Sequence, residues 1–454
     1  MSHPQRKSKE VSVWELAAFA APAAPLLALT LPTVIFLPPH FVTHLGLPLW
    51  VVSAIFMAAR VFDIVIDPAL GSIQDRTDTR WGRRRVWIVG STPFLMLFIW
   101  IVFTVLGPGV NIWTAGLSTF ALYFVFAVMF VAHLGWAGEI VPTYHGRTHT
   151  LGAVQIASLL GQVLMLGIAA YIVQARGGAD ADAVAAMGWT LIYLLPITVA
   201  LAVFCARETP TPPQEHLGFS DAMRTLAQNH LARRVLLTDL LLGVAQGVSG
   251  GLFLFYFQFM LGFVRESQTL VAIYFVAGLL GVPIWWIAAR RIGKHTALQA
   301  TFLYAALTTL PLLVLPHASF GIAATFMVIA GLAQGGSILL TRALMADVVD
   351  EDELKTGLRR SGLYFGLLQM TSKTGLAAGP LCLAVLQIFG FDASLGARNS
   401  GAALTSLAVM FIGVPILLFL LAALSLRKYP LDENRQKELA AAISARHARN
   451  SENT

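Results

Sequence analysis

The chain has 454 residues, of which 57% are hydrophobic and only 12% charged, against roughly 25% charged in a soluble globular domain. That composition excludes an ordinary cytosolic enzyme. The formal net charge of +7 invites a nucleic-acid reading, but basic residues flanking membrane helices have a simpler cause, and no nucleic acid is expected as a partner.

Twelve apolar blocks recur along the chain, each long enough to cross a bilayer core of about 30 Å as a helix. Their cores lie at 16–38, 49–73, 86–107, 111–137, 150–173, 186–206, 235–262, 268–289, 297–316, 319–345, 362–390 and 401–426. Ahead of the first, Arg6, Lys7 and Lys9 are followed by no small-residue cleavage site, so a retained start is expected rather than a removable signal peptide. The only cysteines, Cys205 and Cys382, fall inside blocks and read as small packing residues.

The second block ends RVFDIVIDPALGSIQDRTDTRWGRRR, residues 60–85. Asp63 and Asp67 are four apart, so on a helix they share one face, and Arg60 stands one turn earlier. An ionisable side chain at the bilayer centre costs about 2.5–3.5 kcal/mol even on the lenient insertion scale, so these groups should face protein or water rather than lipid. Two carboxylates this close cannot both stay bare; a proton, a small cation or a basic neighbour must relieve them. The pair is therefore a candidate cation site. The plainer reading is that Arg60 neutralises Asp63 and the trio braces the helix. Pro68 favours the first reading, because it cannot donate to the carbonyl of Ile64 and frees that oxygen beside the carboxylates.

His133, late in the fourth block, suits either packing or a place in a central cavity. Roughly 207–234 carries no strong apolar block and holds TPTPP at 209–213, which divides six blocks from six. In the second half, Asp239 near the start of block seven and Arg342 at the end of block ten read as interfacial anchors, as do Trp285 and Trp286. Lys373, about ten residues into block eleven and hence roughly 15 Å deep at 1.5 Å per residue, is expected in the central cavity with Arg60 and His133.

Of the 31 Lys and Arg residues, 25 lie in the two tails and the even-numbered connections, and only Arg176, Arg265 and Arg398 in the opposite ones. The asymmetry predicts both termini in the cytoplasm of a multi-pass protein of the cell (inner) membrane. GSIQDRTDTRWGRRR after block two is faintly echoed by AARRIGKH after block eight, the parallel repetition of a two-domain secondary transporter. No HExxH pair and no GxxxxGK[ST] loop occurs, so an enzyme is not expected and a gradient is the expected drive.

Three signatures carry a family resemblance. RVFDIVIDPALGSIQDRTDTRWGRRR, EIVPTYHGRT at 139–148 and ADVVDEDELKTGLRRSGLYFG at 346–366 resemble, in order, those of the glycoside-pentoside-hexuronide:cation symporters, the melibiose-permease-like branch of the major facilitator superfamily. Gly146 and Ser361 stand where acids are common in that family. The resemblance implies an all-α membrane protein of twelve transmembrane helices in two six-helix bundles of major facilitator type. The expected boundaries are 1–206 for the first bundle, 207–234 for a cytoplasmic linker, 235–426 for the second bundle and 427–454 for a cytoplasmic tail.

By the same resemblance Asp63 and Asp67 take the coupling-cation positions, proton or sodium, and Lys373 that of the lysine opposite them. Asp75, Arg76, Arg83, Arg84, Arg147, Asp347, Asp350 and Arg360 would form a cytoplasmic gate of charges that breaks on switching. The implied activity is symport of a small organic solute, a glycoside or other sugar, by alternating access, with no cofactor and no obligate protein partner. The sugar-carrying members place acids in helices 1 and 4 and an Arg in helix 5. Here those regions read PAAPLLALTLPTVIF, YFVFAVMF and LGAVQIASLLGQ, without charge. That keeps a lysophospholipid or other amphipathic solute as the alternative, and a non-transporting receptor as a weaker one.

Overall fold

A computed structural model describes residues 12–77, 79–140, 144–206, 229–317, 319–356 and 360–430, and among these every regular element is helical. Eleven helices are long and apolar enough to cross a membrane. We number the passes α1 (Val13–Thr43), α2 (Leu49–Asp75), α3 (Arg85–Val105), α4 (Ile112–Glu139), α5 (Tyr144–Ala170), α6 (Asp180–Cys205), α7 (His230–Met260), α8 (Ser267–Ile292), α9 (Lys294–Leu313), α10 (Phe320–Thr356), α11 and α12 (Gly401–Ser425). The remaining pass, α11, consists of Ser361–Leu376 and Ala378–Ile388, interrupted at Ala377. Twelve passes result, as the sequence predicts.

The breaks follow the chemistry of the chain. α1 carries Pro22, Pro25, Pro32, Pro38 and Pro39; each removes an N–H from the ladder. The helix accordingly divides at residues 21–22 and passes through a π stretch at Pro32–Phe36. α2, in contrast, runs unbroken through position 68.

Two boundaries differ from the sequence reading. α7 begins at His230, inside the expected 207–234 linker, because the Asn229 side chain caps it, accepting from the backbone N–H groups of Leu231 and Ala232 at 3.1 Å each. α10 does not stop near 345 but continues to Thr356 through the ADVVDEDELKT stretch read as loop. Leu344, Met345, Val348 and Val349 explain the extension. They recur on one helical face, are buried, and pack in the second-half core with Tyr364 and Leu367.

Helices approach closely where side chains are smallest. Gly243, Gly247 and Gly251 on α7 meet Gly375 and Gly379 on α11, and a Cβ on Gly375 would stand 2.6 Å from the backbone of Gly243. Such small-xxx-small stripes let backbones pack without a hydrophobic drive between helices. The two halves meet where α2 packs on α11, α5 on α8 and α1 on α7. The large exposed residues, such as Phe94, Trp113, Phe204 and Leu417, lie on helix faces that a bilayer would cover.

Along this seam, toward the end of the bundle with few basic residues, three hydrogen bonds join the halves. Ser53 Oγ donates to the Pro380 carbonyl at 2.5 Å, and the amides of Gln258 and Gln268 donate to the Asp180 carboxylate at 2.9 and 2.7 Å.

Candidate functional site

On α2, Arg60, Asp63 and Asp67 fall at i, i+3 and i+7, a spacing that aims all three at the same neighbours. Arg60 and Asp63 are almost fully buried, at 5% and 1% exposure. The Arg60 guanidinium lies 3.9 Å from Asp63 Oδ2 and over the Tyr123 ring of α4, 5.1 Å from its centre. From the other half, α11 brings Lys373. Its ammonium is 2.5 Å from Asp67 Oδ2, to which it donates, 3.1 Å from Asp63 Oδ2, and 5.3 Å from the centre of the Phe130 ring. One lysine therefore bridges both aspartates across the seam.

The balance is incomplete. Oδ1 of Asp63 and Oδ1 of Asp67 are buried without a hydrogen-bond donor among the described residues, and Asp63 Oδ2 meets only the Lys373 and Arg60 cations, whereas buried carboxylates ordinarily collect donors on every oxygen. The Asp63 side chain is closed off, whereas that of Asp67 keeps 22% of its surface open. Chemically this is a site where a carboxylate can exchange a lysine for another cation.

The other expected residues separate. His133 stacks on Phe19 of α1, ring centres 4.9 Å apart, and its Nε2 lies 3.1 Å from the Phe19 carbonyl. The structure thus ties it into the α1–α4 packing. Arg84 is buried against Gly135 of α4, where a Cβ would approach its guanidinium carbon to 2.7 Å. Arg76 is exposed, and Arg83 and Asp350 are half-buried. Asp347 accepts from Lys294 at 2.6 Å, and Arg360 donates two bonds to Asp352, at 2.9 and 2.7 Å. Both partners belong to the second half. The Asp352 carboxylate holds the Arg360 pKa above its ordinary value. The side chains of Asp75 and Arg147 lie outside the described residues.

Asp239 and Arg342, read as interfacial anchors, sit in the seam instead. Asp239 Oδ2 accepts from the hydroxyls of Thr371 and Ser372, both at 2.7 Å. Arg342 donates to Gln155 Oε1 of α5 at 2.6 Å. Trp285 donates to the Leu332 carbonyl at 2.9 Å and packs between α8 and α10. The Lys294 and Asp352 partners were not legible as such, because the stretch holding Asp352 reads as a loop. The Thr-Ser-Lys run at 371–373 was the available signal for Asp239.

Comparison with known proteins agrees with this architecture. Residues 18–433 match the family model described as MFS/sugar transport protein. The inner membrane symporter YicJ of Escherichia coli is 25% identical over 85% of this chain and 84% of its own length. The isoprimeverose transporter of Lactiplantibacillus pentosus is 24% identical over 89% and 85%. The sodium-dependent lysophosphatidylcholine symporter 1-A of Danio rerio is 23% identical over 95% and 88%. Among solved structures, the nucleoside transporter NupG (D323A mutant) superposes with a TM-score of 0.66 at 14% identity, over 91% of this chain and 99% of that one; at that identity it speaks to the fold alone. With the family model spanning nearly the whole chain, and twelve helical passes in two halves beneath it, this is a multi-pass membrane protein that belongs to the MFS/sugar transport family, a family of secondary transporters.

Proposed function

We propose that the chain is a cation-coupled symporter that moves a glycoside or other small sugar-like solute by alternating access. In this reading Asp63 and Asp67 accept the coupling cation, with both termini on the cytoplasmic side of the inner membrane. The observation that carries it is the bridge from Lys373 to both aspartates across the seam. When a cation neutralises Asp67, the ammonium loses its nearer partner and α2 is released from α11, so occupancy of the site and relative motion of the halves become one event. Asp67, the more open of the two, is the entry point, and Asp63 with Arg60 is the fixed reference charge. Two intramembrane carboxylates facing one lysine are costly unless they serve such an exchange.

A proton is the coupling ion we favour. Sodium needs several oxygen ligands, while the residues next to Asp67 in sequence are Ile64, Val65 and Ile66, and α4 offers Ala127, Val128, Met129 and Phe130. A proton needs only one carboxylate. Arg76, Arg83, Arg84, Asp347, Asp350 and Arg360, with Asp75 and Arg147, are proposed as the gate.

A second reading, an amphipathic solute such as a lysophospholipid, is favoured by the uncharged first helix, PAAPLLALTLPTVIF. The lysophosphatidylcholine symporter among the relatives points the same way. Uptake of radiolabelled glycosides and lysophosphatidylcholine into proteoliposomes, under imposed proton or sodium gradients, decides. Gradient-driven accumulation of a glycoside is the expected result. Accumulation of lysophosphatidylcholine alone replaces it with the second reading, and no accumulation of either overturns both.

A further inference from the structure

Apart from Asp180 at the end with few basic residues, six charged side chains among the described residues gather along the seam, and five are committed. Lys373 bridges Asp63 and Asp67, Arg60 lies against Asp63, and Asp239 is held by two hydroxyls. Arg342 is different. It is exposed, it projects from α10 toward the opposite half, and among the described residues its one hydrogen bond is to a neutral amide, Gln155 Oε1 at 2.6 Å. Asp239 acts on it electrostatically but forms no ion pair with it. A guanidinium presents five donors in a planar fork that fits carboxylate and phosphate oxygens two at a time, and a single amide oxygen leaves most of that fork unused.

We propose that Arg342 is the specificity-determining residue for an anionic group on the transported solute, a carboxylate or a phosphate, taken between α5 and α10 with Gln155 as the neutral ligand that aims the guanidinium. The assignment rests on the symporter reading and deepens it. On the Lys373 side of the seam, away from Asp180, the described residues Asp63, Asp67 and Asp239 balance Arg60, Lys373 and Arg342, so this region carries no net charge. Loading one cation on Asp67 leaves it one charge positive. An anionic group at Arg342 restores neutrality, which favours the doubly loaded protein over either singly loaded form. Charge balance of this kind ties solute to ion without direct contact between them. Arg342 forms no ion pair with the Asp67–Lys373 bridge, so recognition and coupling occupy different residues.

The test uses the full-length protein purified in dodecyl maltoside, titrated with hexyl β-D-glucuronide and hexyl β-D-glucoside while its tryptophan fluorescence is recorded. The two probes share an alkyl chain and a ring and differ by one carboxylate. The glucuronide is expected to bind at least about tenfold more tightly, the scale of one charge-assisted bidentate contact. That preference should fall below about twofold in Arg342→Gln and in Gln155→Glu, the second of which occupies the guanidinium without removing it and still decides the matter if the first fails to fold. Equal affinity for the two probes in the unaltered protein, no detectable glucuronide binding, or a preference that survives in a folded variant overturns the assignment. Binding in detergent needs no gradient. A protein that shows the preference yet accumulates no solute under a gradient therefore refutes the symporter reading and leaves the role of Arg342 standing.

Discussion

Lys373 Nζ, on α11, stands 2.5 Å from Asp67 Oδ2, on α2, so a single side chain ties the two halves of the molecule together through a carboxylate. Replacing that lysine with Met leaves two acids in an apolar setting with only Arg60 nearby. Removing one partner from a buried pair costs about 3–5 kcal/mol. Lys373→Met should therefore melt at a clearly lower temperature in detergent than the parent, and Lys373→Met with Asp63→Asn should recover part of the loss. Equal melting of the parent and the single variant would show that the bridge contributes nothing to stability.

Coupling to a proton has its own signature. Uptake should follow an imposed pH gradient, collapse when a protonophore is added, and respond little to sodium. Strong stimulation by sodium at clamped pH, with no pH gradient, would assign the site to sodium instead.

At the end of the seam with few basic residues, Asp180 of α6 accepts from Gln258 of α7 and Gln268 of α8. Asp180→Ala removes both bonds and should shift the two halves toward separation at that end. Spin labels placed on the α1–α2 and α7–α8 connections should report longer distances by electron–electron double resonance. An unchanged distance distribution would mean the apolar contacts alone hold this end shut.

Close packing of α7 on α11 gives a paired test. A Cβ on Gly375 meets the Gly243 backbone at 2.6 Å, whereas one on Gly366, earlier in the same helix, meets nothing within 4 Å. Gly375→Ala should destabilise the protein and lower uptake. Gly366→Ala should be neutral or stabilising by up to about 1 kcal/mol, the helix-propensity gain of Ala over Gly. Equal melting temperatures for the two variants would contradict the close approach.

The parts of this design that were legible in the sequence are those with local causes. Apolar length sets the twelve passes, and i, i+4 spacing pairs Asp63 with Asp67. The depth of Lys373 could be counted from its block, but its bond to Asp67, 306 residues away in sequence, could not be read from either segment alone. The extension of α10 is hidden in the sequence because Asp347, Asp350, Glu351, Asp352 and Glu353 make the stretch look solvated, while Val348 and Val349 between them continue a buried face. Arg342 and Asp239 look like membrane-edge anchors in the sequence for a related reason. Their partners lie on α5 and α11, and only tertiary packing turns residues near a helix end into neighbours within the seam. His133 was ambiguous, since its contact with Phe19 joins the fourth helix to the first.

The measurement that bears most directly on coupling at the Asp63–Asp67–Lys373 site is transport by Asp67→Asn in proteoliposomes, with concentrative uptake and energy-independent counterflow of the same labelled solute measured side by side. Loss of gradient-driven accumulation with counterflow partly retained is the predicted result, because the amide keeps the shape of the side chain but cannot exchange the coupling cation. Concentrative uptake at the level of the unaltered protein would contradict it.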